Sequence, residues 1–186
     1  MSTQSVYVDR MLCLSSSDNE DDIYVLMFRG RTVPPFNTGL ALKGPENFWT
    51  DFDDGELWNQ DILMVQYFPD AVYGAILVDQ DDGTDISKSR LKNIGLKCAQ
   101  AWKTELLSQQ AAGNAPGSAA AKNAAFAAVK AILGPQVEGA GNDDVITPDN
   151  TNGVQRITVG PGNPTPPFTF KGQGGWYEVI FKVASP

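Results

Sequence analysis

The chain of 186 residues contains no histidine. That absence excludes Ser-His-Asp and Cys-His nucleophile activation, histidine-ligated zinc and histidine-based pH switching. Cysteine is nearly absent too. Cys13 and Cys98 are the two present, one in an expected strand and the other in an expected helix. A dense disulfide framework is thereby excluded, and two unpaired buried thiols are expected in preference to a Cys13–Cys98 bridge. No run approaches ~18 consecutive apolar residues, so no transmembrane segment is expected. The N-terminal Met1-Ser2-Thr3-Gln4-Ser5 has neither the basic region nor the apolar run of a signal peptide. Cytoplasmic synthesis is therefore expected, with non-classical secretion left open and the final location unassigned. Positive charge is scarce: 14 Lys and Arg against 22 Asp and Glu give a net charge of −8 and a pI near 4.4. Such a chain is not expected to bind nucleic acid. It also repels anionic lipid unless bound cations reverse the local sign.

What remains is an ordinary globular composition, 42% hydrophobic and 19% charged with a mean hydropathy of −0.22. That is enough for one core, and one domain over 1–186 is expected. Residues 5–14 alternate, with Val6, Val8, Leu12 and Leu14 on one side and Tyr7, Asp9, Met11 and Cys13 on the other. Residues 23–28 (IYVLMF) are apolar on both faces, as suits a central strand between two covered layers. Residues 62–67 and 72–78 read as a hairpin-like pair across Phe68-Pro69-Asp70-Ala71. Further strands are expected at 154–159, 167–170 and 175–183, the last with Tyr177, Val179, Phe181 and Val183 facing inward.

The middle of the chain changes period. Leu91, Ile94, Cys98, Trp102 and Leu106 mark an amphipathic helix ending near Gly113, and 119–133 an alanine-rich helix stopped by Gly134-Pro135. Lys122 and Lys130 make a packed helical pair the expectation over a membrane-inserting one. The expected fold is mainly β: a two-sheet antiparallel β-sandwich with an α-helical hairpin inserted at about 87–134.

Fifteen of the 22 carboxylates fall in four short windows, each where a strand is expected to stop. These are Asp18/Glu20/Asp21/Asp22, Asp51/Asp53/Asp54/Glu56, Asp79/Asp81/Asp82/Asp85 and Asp143/Asp144/Asp149. Carboxylates packed this closely repel one another, and a hard cation held by oxygen ligands relieves them. The third window is the sharpest, because a D-x-D start directly after a strand can wrap two carboxylates and a carbonyl around calcium. It is not an EF-hand, since Gly83 occupies loop position five and Arg90 position twelve. The alternative for this window is a solvated turn capping the next helix through Ser87 or Asp85. The Asp53-Asp54-Gly55 window reads mainly as a tight turn. The candidate metal ligands are Asp18, Asp21, Asp22, Asp79, Asp81, Asp85 and Asp143.

The runs LCLSSSDNEDDIYVLMFRG, FDDGELW, VDQDDGTD, GNDDVI and GGWYEVIFKV resemble a broad group of bacterial β-sandwich proteins similar to C-two-type calcium/phospholipid-binding domains. The likeness covers about 5–90 and 140–183 and leaves the helical segment outside it. It implies calcium bound by loop aspartates at one end of a sandwich. Asp18 and Asp22 would serve one loop, and Asp79, Asp81 and Asp85 the other.

Together these readings lead to a non-enzymatic calcium-binding recognition module, with membrane lipid, a glycan or a protein as the partner. Two alternatives stand beside it. One is a carbohydrate-binding module with calcium-ordered loops near Trp49 or Trp58. The other is a subunit of a bacterial toxin or secreted assembly that uses the helices for protein contact.

Overall fold

A computed structural model describes residues 3–16, 21–44, 49–80, 86–138, 144–146 and 153–186. The protein is mainly β, with two antiparallel sheets and two helices among the described residues. In the first sheet, β1 (Ser5–Ser15) is flanked by β11 (Gly175–Ala184) and then β10 (Phe168–Gly172). On its other side β1 meets β5 (Leu57–Trp58) and β6 (Ile62–Gln66). In the second sheet, β2 (Asp21–Arg31) pairs with β7 (Ala71–Asp79). Beyond β2 lie β3 (Thr38–Lys43) and β4 (Trp49–Phe52), and beyond β7 lie β8 (Asp144–Ile146) and β9 (Gln155–Ile157). Three of the four sheet borders are thus each made of two short strands among the described residues, and β3, β4, β5 and β8 are additional to the strands expected from the sequence.

One buried cluster draws side chains from both sheets, among them Val6, Val8 and Met11 from β1, Ile23, Val25 and Met27 from β2, and Tyr177, Val179 and Phe181 from β11. The far side of the second sheet carries Tyr24, Leu26, Phe28, Ile76 and Val78 into another cluster, shared with the helices. β2 and β7 are therefore covered on both faces, as their unbroken apolar runs require.

The helices dock through two glycines. α1 (Lys88–Ala111) and α2 (Ala119–Glu138) each begin at a serine: Ser87 Oγ accepts the Arg90 N–H (3.2 Å) and Ser118 Oγ the Ala121 N–H (3.2 Å). Trp102 of α1 lies on Gly30 of β2, where a Cβ would come within 2.5 Å of the indole. Phe126 of α2 lies on Gly74 of β7, where a Cβ would come within 2.6 Å of the ring. Strand glycines of this kind mark close approach by another element. Trp102 also donates its Nε1–H to the Arg31 carbonyl at 2.8 Å and meets Phe28 edge-on at 5.7 Å. Gly95, in the middle of α1, has no such role. A Cβ there would meet Leu40 only at 3.8 Å, although glycine in a helix interior costs about 1 kcal/mol relative to alanine. No described helix is long and apolar enough to cross a membrane.

Three expectations are corrected. In β1 the alternation does not run through: Met11 and Cys13 are buried, whereas Leu12 is half-buried and Leu14 exposed. The cause is a bulge at Asp9, since Val8 pairs with Phe181 and Arg10 with Ile180. One extra residue flips every later side chain to the other face. The segments 62–67 and 72–78 do not form a hairpin: β6 pairs with β1 and β7 with β2. Asp70 directs the crossing, because its carboxylate accepts from Arg31 (3.1 Å) and its carbonyl from Thr32 Oγ1 (2.8 Å), which lays β7 along β2. Finally, α2 does not stop at Gly134-Pro135 but continues to Glu138. Its last turn is held from α1, where Arg90 Nη2 bonds the Gln136 carbonyl (2.8 Å) and Lys97 Nζ the Gln136 side chain (3.1 Å), while Val137 is buried. These contacts offset the hydrogen bond that proline removes.

Cys13 and Cys98 are free thiols, buried in different clusters. Burial pushes Cys13 up to about 11 and Cys98 up to about 12, from an ordinary 9.0. The fold thus favours protonated thiols, and their contribution is complete below pH 9.0 and lost as pH rises to about 11 for Cys13 and about 12 for Cys98. The melting temperature should fall between those values, and a Cys13→Ala/Cys98→Ala protein should show a flatter decline. An unchanged slope in the double variant would rule the thiols out as its source.

Candidate functional site

The described parts of the four acidic windows lie at one end of the two sheets. β2 starts with Asp21 and Asp22, and β7, running the other way, finishes at Asp79 opposite Ile23. Asp144 takes the register position beside Asp79 in β8, and Phe52 the one beside Asp21 in β4. The Asp53–Glu56 turn is tied to the same end of β1, because Gly55 N–H bonds the Cys13 carbonyl (2.9 Å) and Cys13 N–H the Glu56 carbonyl (3.0 Å).

Strand alternation then decides which acids turn inward. Asp21 continues the inward series Ile23, Val25 and Met27, and Asp79 continues Tyr73, Ala75 and Leu77. Both carboxylates are buried, Asp21 at 0% and Asp79 at 2% exposure. Asp22 takes the opposite parity and is half-buried. Asp79 Oδ1 accepts the Asp22 N–H at 3.2 Å, and the Asp22 carbonyl accepts the Gln80 N–H at 2.9 Å. The end of β7 is thereby fastened to the start of β2.

Asp21 faces a buried tyrosine across the two sheets. Tyr177 of β11 donates its hydroxyl hydrogen to Asp21 Oδ2 and stacks on Phe52 at 6.1 Å. Burial raises the Tyr177 hydroxyl far above the ordinary phenol range, and the hydrogen bond and charge of Asp21 raise it further. The Cys13 thiol lies beside the same hydroxyl. Sequence reading placed Tyr177 inward without assigning it a role. The signal was available, because a tyrosine predicted to be buried needs a partner for its hydroxyl.

The window around Asp53 is a closed turn, as its Asp-Asp-Gly sequence indicates. Glu56 N–H bonds the Asp53 carbonyl (3.0 Å), Asp53 N–H bonds Glu56 Oε2 (3.2 Å), and Gly55 takes φ +82°. Asp54 Oδ1 accepts from Ser16 Oγ at 3.0 Å. These acids are engaged in shaping the turn.

Of the seven candidate ligands, the structure brings together Asp21, Asp22 and Asp79. Asp18, Asp81, Asp85 and Asp143 lie outside the described residues. Among the described residues, no group of three or more acidic or cysteine side chains is arranged to hold a metal ion. What the described end offers is oxygen donors, the chemistry preferred by calcium and magnesium over softer metals. Trp49, a candidate glycan platform, is fully buried and meets Trp58 edge-on at 6.2 Å. It is a core residue and offers no exposed face to a glycan.

The chain matches no protein-family model, no curated protein and no solved structure.

Proposed function

We propose that this protein is a non-enzymatic calcium-binding β-sandwich module that recognises a membrane or cell surface, with the ion held at the acidic end. The observation that carries this reading is the burial of Asp21 and Asp79 at the one end where the described parts of the four acidic windows lie. Asp21 and Asp79 accept from the Tyr177 hydroxyl and the Asp22 N–H, and a cation beside them would further offset the cost of burying two carboxylates. The remaining candidates Asp18, Asp81, Asp85 and Asp143 adjoin these strand ends in sequence, and calcium takes six to eight oxygens from such loops. The sandwich architecture is supported by the buried cluster to which both sheets contribute. A partner-binding role for the helical stripe is less favoured, since Ile94, Cys98, Trp102 and Leu106 are covered by the second sheet.

The test is thermal unfolding in calcium and in chelator. Calcium at about 100 times its dissociation constant should add about 2.7 kcal/mol by mass action. Asp79→Asn keeps an acceptor for the Asp22 N–H but removes a charge, so it should abolish the calcium increment, as should Asp81→Asn. Asp53→Asn should leave the increment intact because that window is a turn. Identical melting curves in calcium and chelator would refute the proposal, and equal losses in all three variants would reduce it to diffuse electrostatics. Calcium-dependent pelleting with liposomes is the expected readout for the surface it recognises.

A further inference from the structure

The first two thirds of α1 oppose the charge of the chain. Between positions 86 and 104 stand Lys88, Arg90, Lys92, Lys97 and Lys103 without one carboxylate, five of the 14 cations in a chain of net charge −8. Arg90 and Lys97 are engaged with Gln136. Lys88 and Lys92 are exposed, and neither is in an ion pair among the described residues. With Phe28, Leu40, Leu91 and Leu96 they line a groove of about 390 Å³ between α1 and β3.

The wall opposite α1 is a border strand with main-chain groups to offer. The Arg31 N–H to Asn37 carbonyl bond (2.9 Å) sets the phase of the β2–β3 ladder. Positions 39, 41 and 43 then turn their N–H and C=O toward β2, and Thr38, Leu40 and Leu42 turn theirs away from it. Arg29 Nη2 occupies the Thr38 carbonyl at 3.2 Å. The outward groups of Leu40 and Leu42 have no ladder partner among the described residues. The α1 residues lining the groove run from Lys88 to Ala99, about 16 Å at ~1.5 Å per residue. That length matches about five residues of extended chain. Gly95 lies between the two walls, and since nothing steric demands glycine there, its effect is to keep the groove deep.

We infer that this groove takes an extended acidic peptide of another protein, added as a strand to the free edge of β3. Its main chain bonds the outward groups of Leu40 and Leu42. Its α1-facing side chains are apolar beside Leu91 and Leu96 and carry a carboxylate at Lys88 and Lys92. Strand addition of this kind draws affinity from main-chain bonds and selectivity from alternate side chains, and charge complementarity excludes wrong partners. None of the candidate calcium ligands lines this groove, and peptide binding is expected without calcium.

The probe is a fluorescent peptide, Glu-Thr-Val-Thr-Val-Thr-Glu, titrated with the full chain and read by anisotropy. Saturable binding is expected, at least about tenfold tighter than for the same peptide with lysines at its ends. Lys88→Glu/Lys92→Glu should reverse that preference. Gly95→Leu fills the groove with a better helix former, so it should keep or raise the melting temperature and abolish binding. A fully N-methylated peptide should not bind. The inference is overturned if binding is absent, if the lysine peptide binds equally, or if the variants leave binding unchanged. Equal binding of the N-methylated peptide would mean side-chain attraction alone, as for an acidic amphiphile, and would also overturn it. So would a dimer in sedimentation that Gly95→Leu dissociates, which would assign the edge to a second copy of the chain.

Discussion

Trp102→Ala should lower the stability of the protein by about 4 kcal/mol, the order found when a fully buried aromatic is truncated. Trp102 is fully buried, sits against Gly30 and Phe28, and donates to the Arg31 carbonyl. Truncation removes the ring from the contact between α1 and the second sheet and leaves that carbonyl without its indole donor. Against a typical total of about 5–15 kcal/mol, the variant should unfold at a much lower urea concentration. Trp102→Phe keeps an aromatic ring and loses the N–H, so about 1–2 kcal/mol is expected. The same contact predicts a reciprocal effect. Gly30→Ala places a methyl where the ring lies and should be strongly destabilising, but far less so once Trp102 is alanine. Additive losses in that pair would mean that the close approach is not what couples them.

Tyr177→Phe should cost about 3 kcal/mol for the loss of a single oxygen, measured as the shift in urea midpoint. The cost arises at Asp21, whose buried carboxylate loses the donor reaching it from the opposite sheet. Removing one partner of a buried charged hydrogen bond leaves the desolvation of the other uncompensated. The decisive measurement is the cycle with Asp21→Asn. In the phenylalanine background that second change removes a buried charge that has lost its tyrosine donor, so its cost should be smaller by about 1–3 kcal/mol than in the native protein. Independent effects would show that the hydroxyl and the carboxylate are not coupled.

The fold is legible in the sequence wherever local pattern and burial agree. Tyr177, Val179, Phe181 and Val183 alternate inward in β11 as their spacing demands. The apolar run of β2 marks a strand covered on both faces. Ile94, Cys98, Trp102 and Leu106 form the buried stripe of α1. What escaped the sequence was set by distant partners. The bulge at Asp9 is stabilised by Lys182 of β11, whose Nζ lies 2.9 Å from Asp9 Oδ1, and no neighbour in the chain announces it. The crossing of 68–71 depends on Asp70 meeting Arg31 and Thr32, and the persistence of α2 past Pro135 on Arg90 and Lys97. At the acidic end, clustering of Asp21, Asp22 and Asp79 followed from where the strands stop. The pairing of Asp21 with Tyr177 spans 156 positions and required the sheets to be in place.

The divided sheet borders bear on behaviour at high concentration. Fibril growth needs a continuous stretch of about six or seven residues able to stack in register on copies of itself. The border beside β1 breaks between β5 and β6, of two and five residues, and the one beside β7 between β8 and β9, of three each. β10 offers five, and β4 four. Among the described border strands only β3 reaches six, and identical chains stacked there would bring Lys88 and Lys92 of one copy against those of the next. Like charges at that spacing oppose the stack, so the longest border strand among the described residues is also the one that repels its own kind.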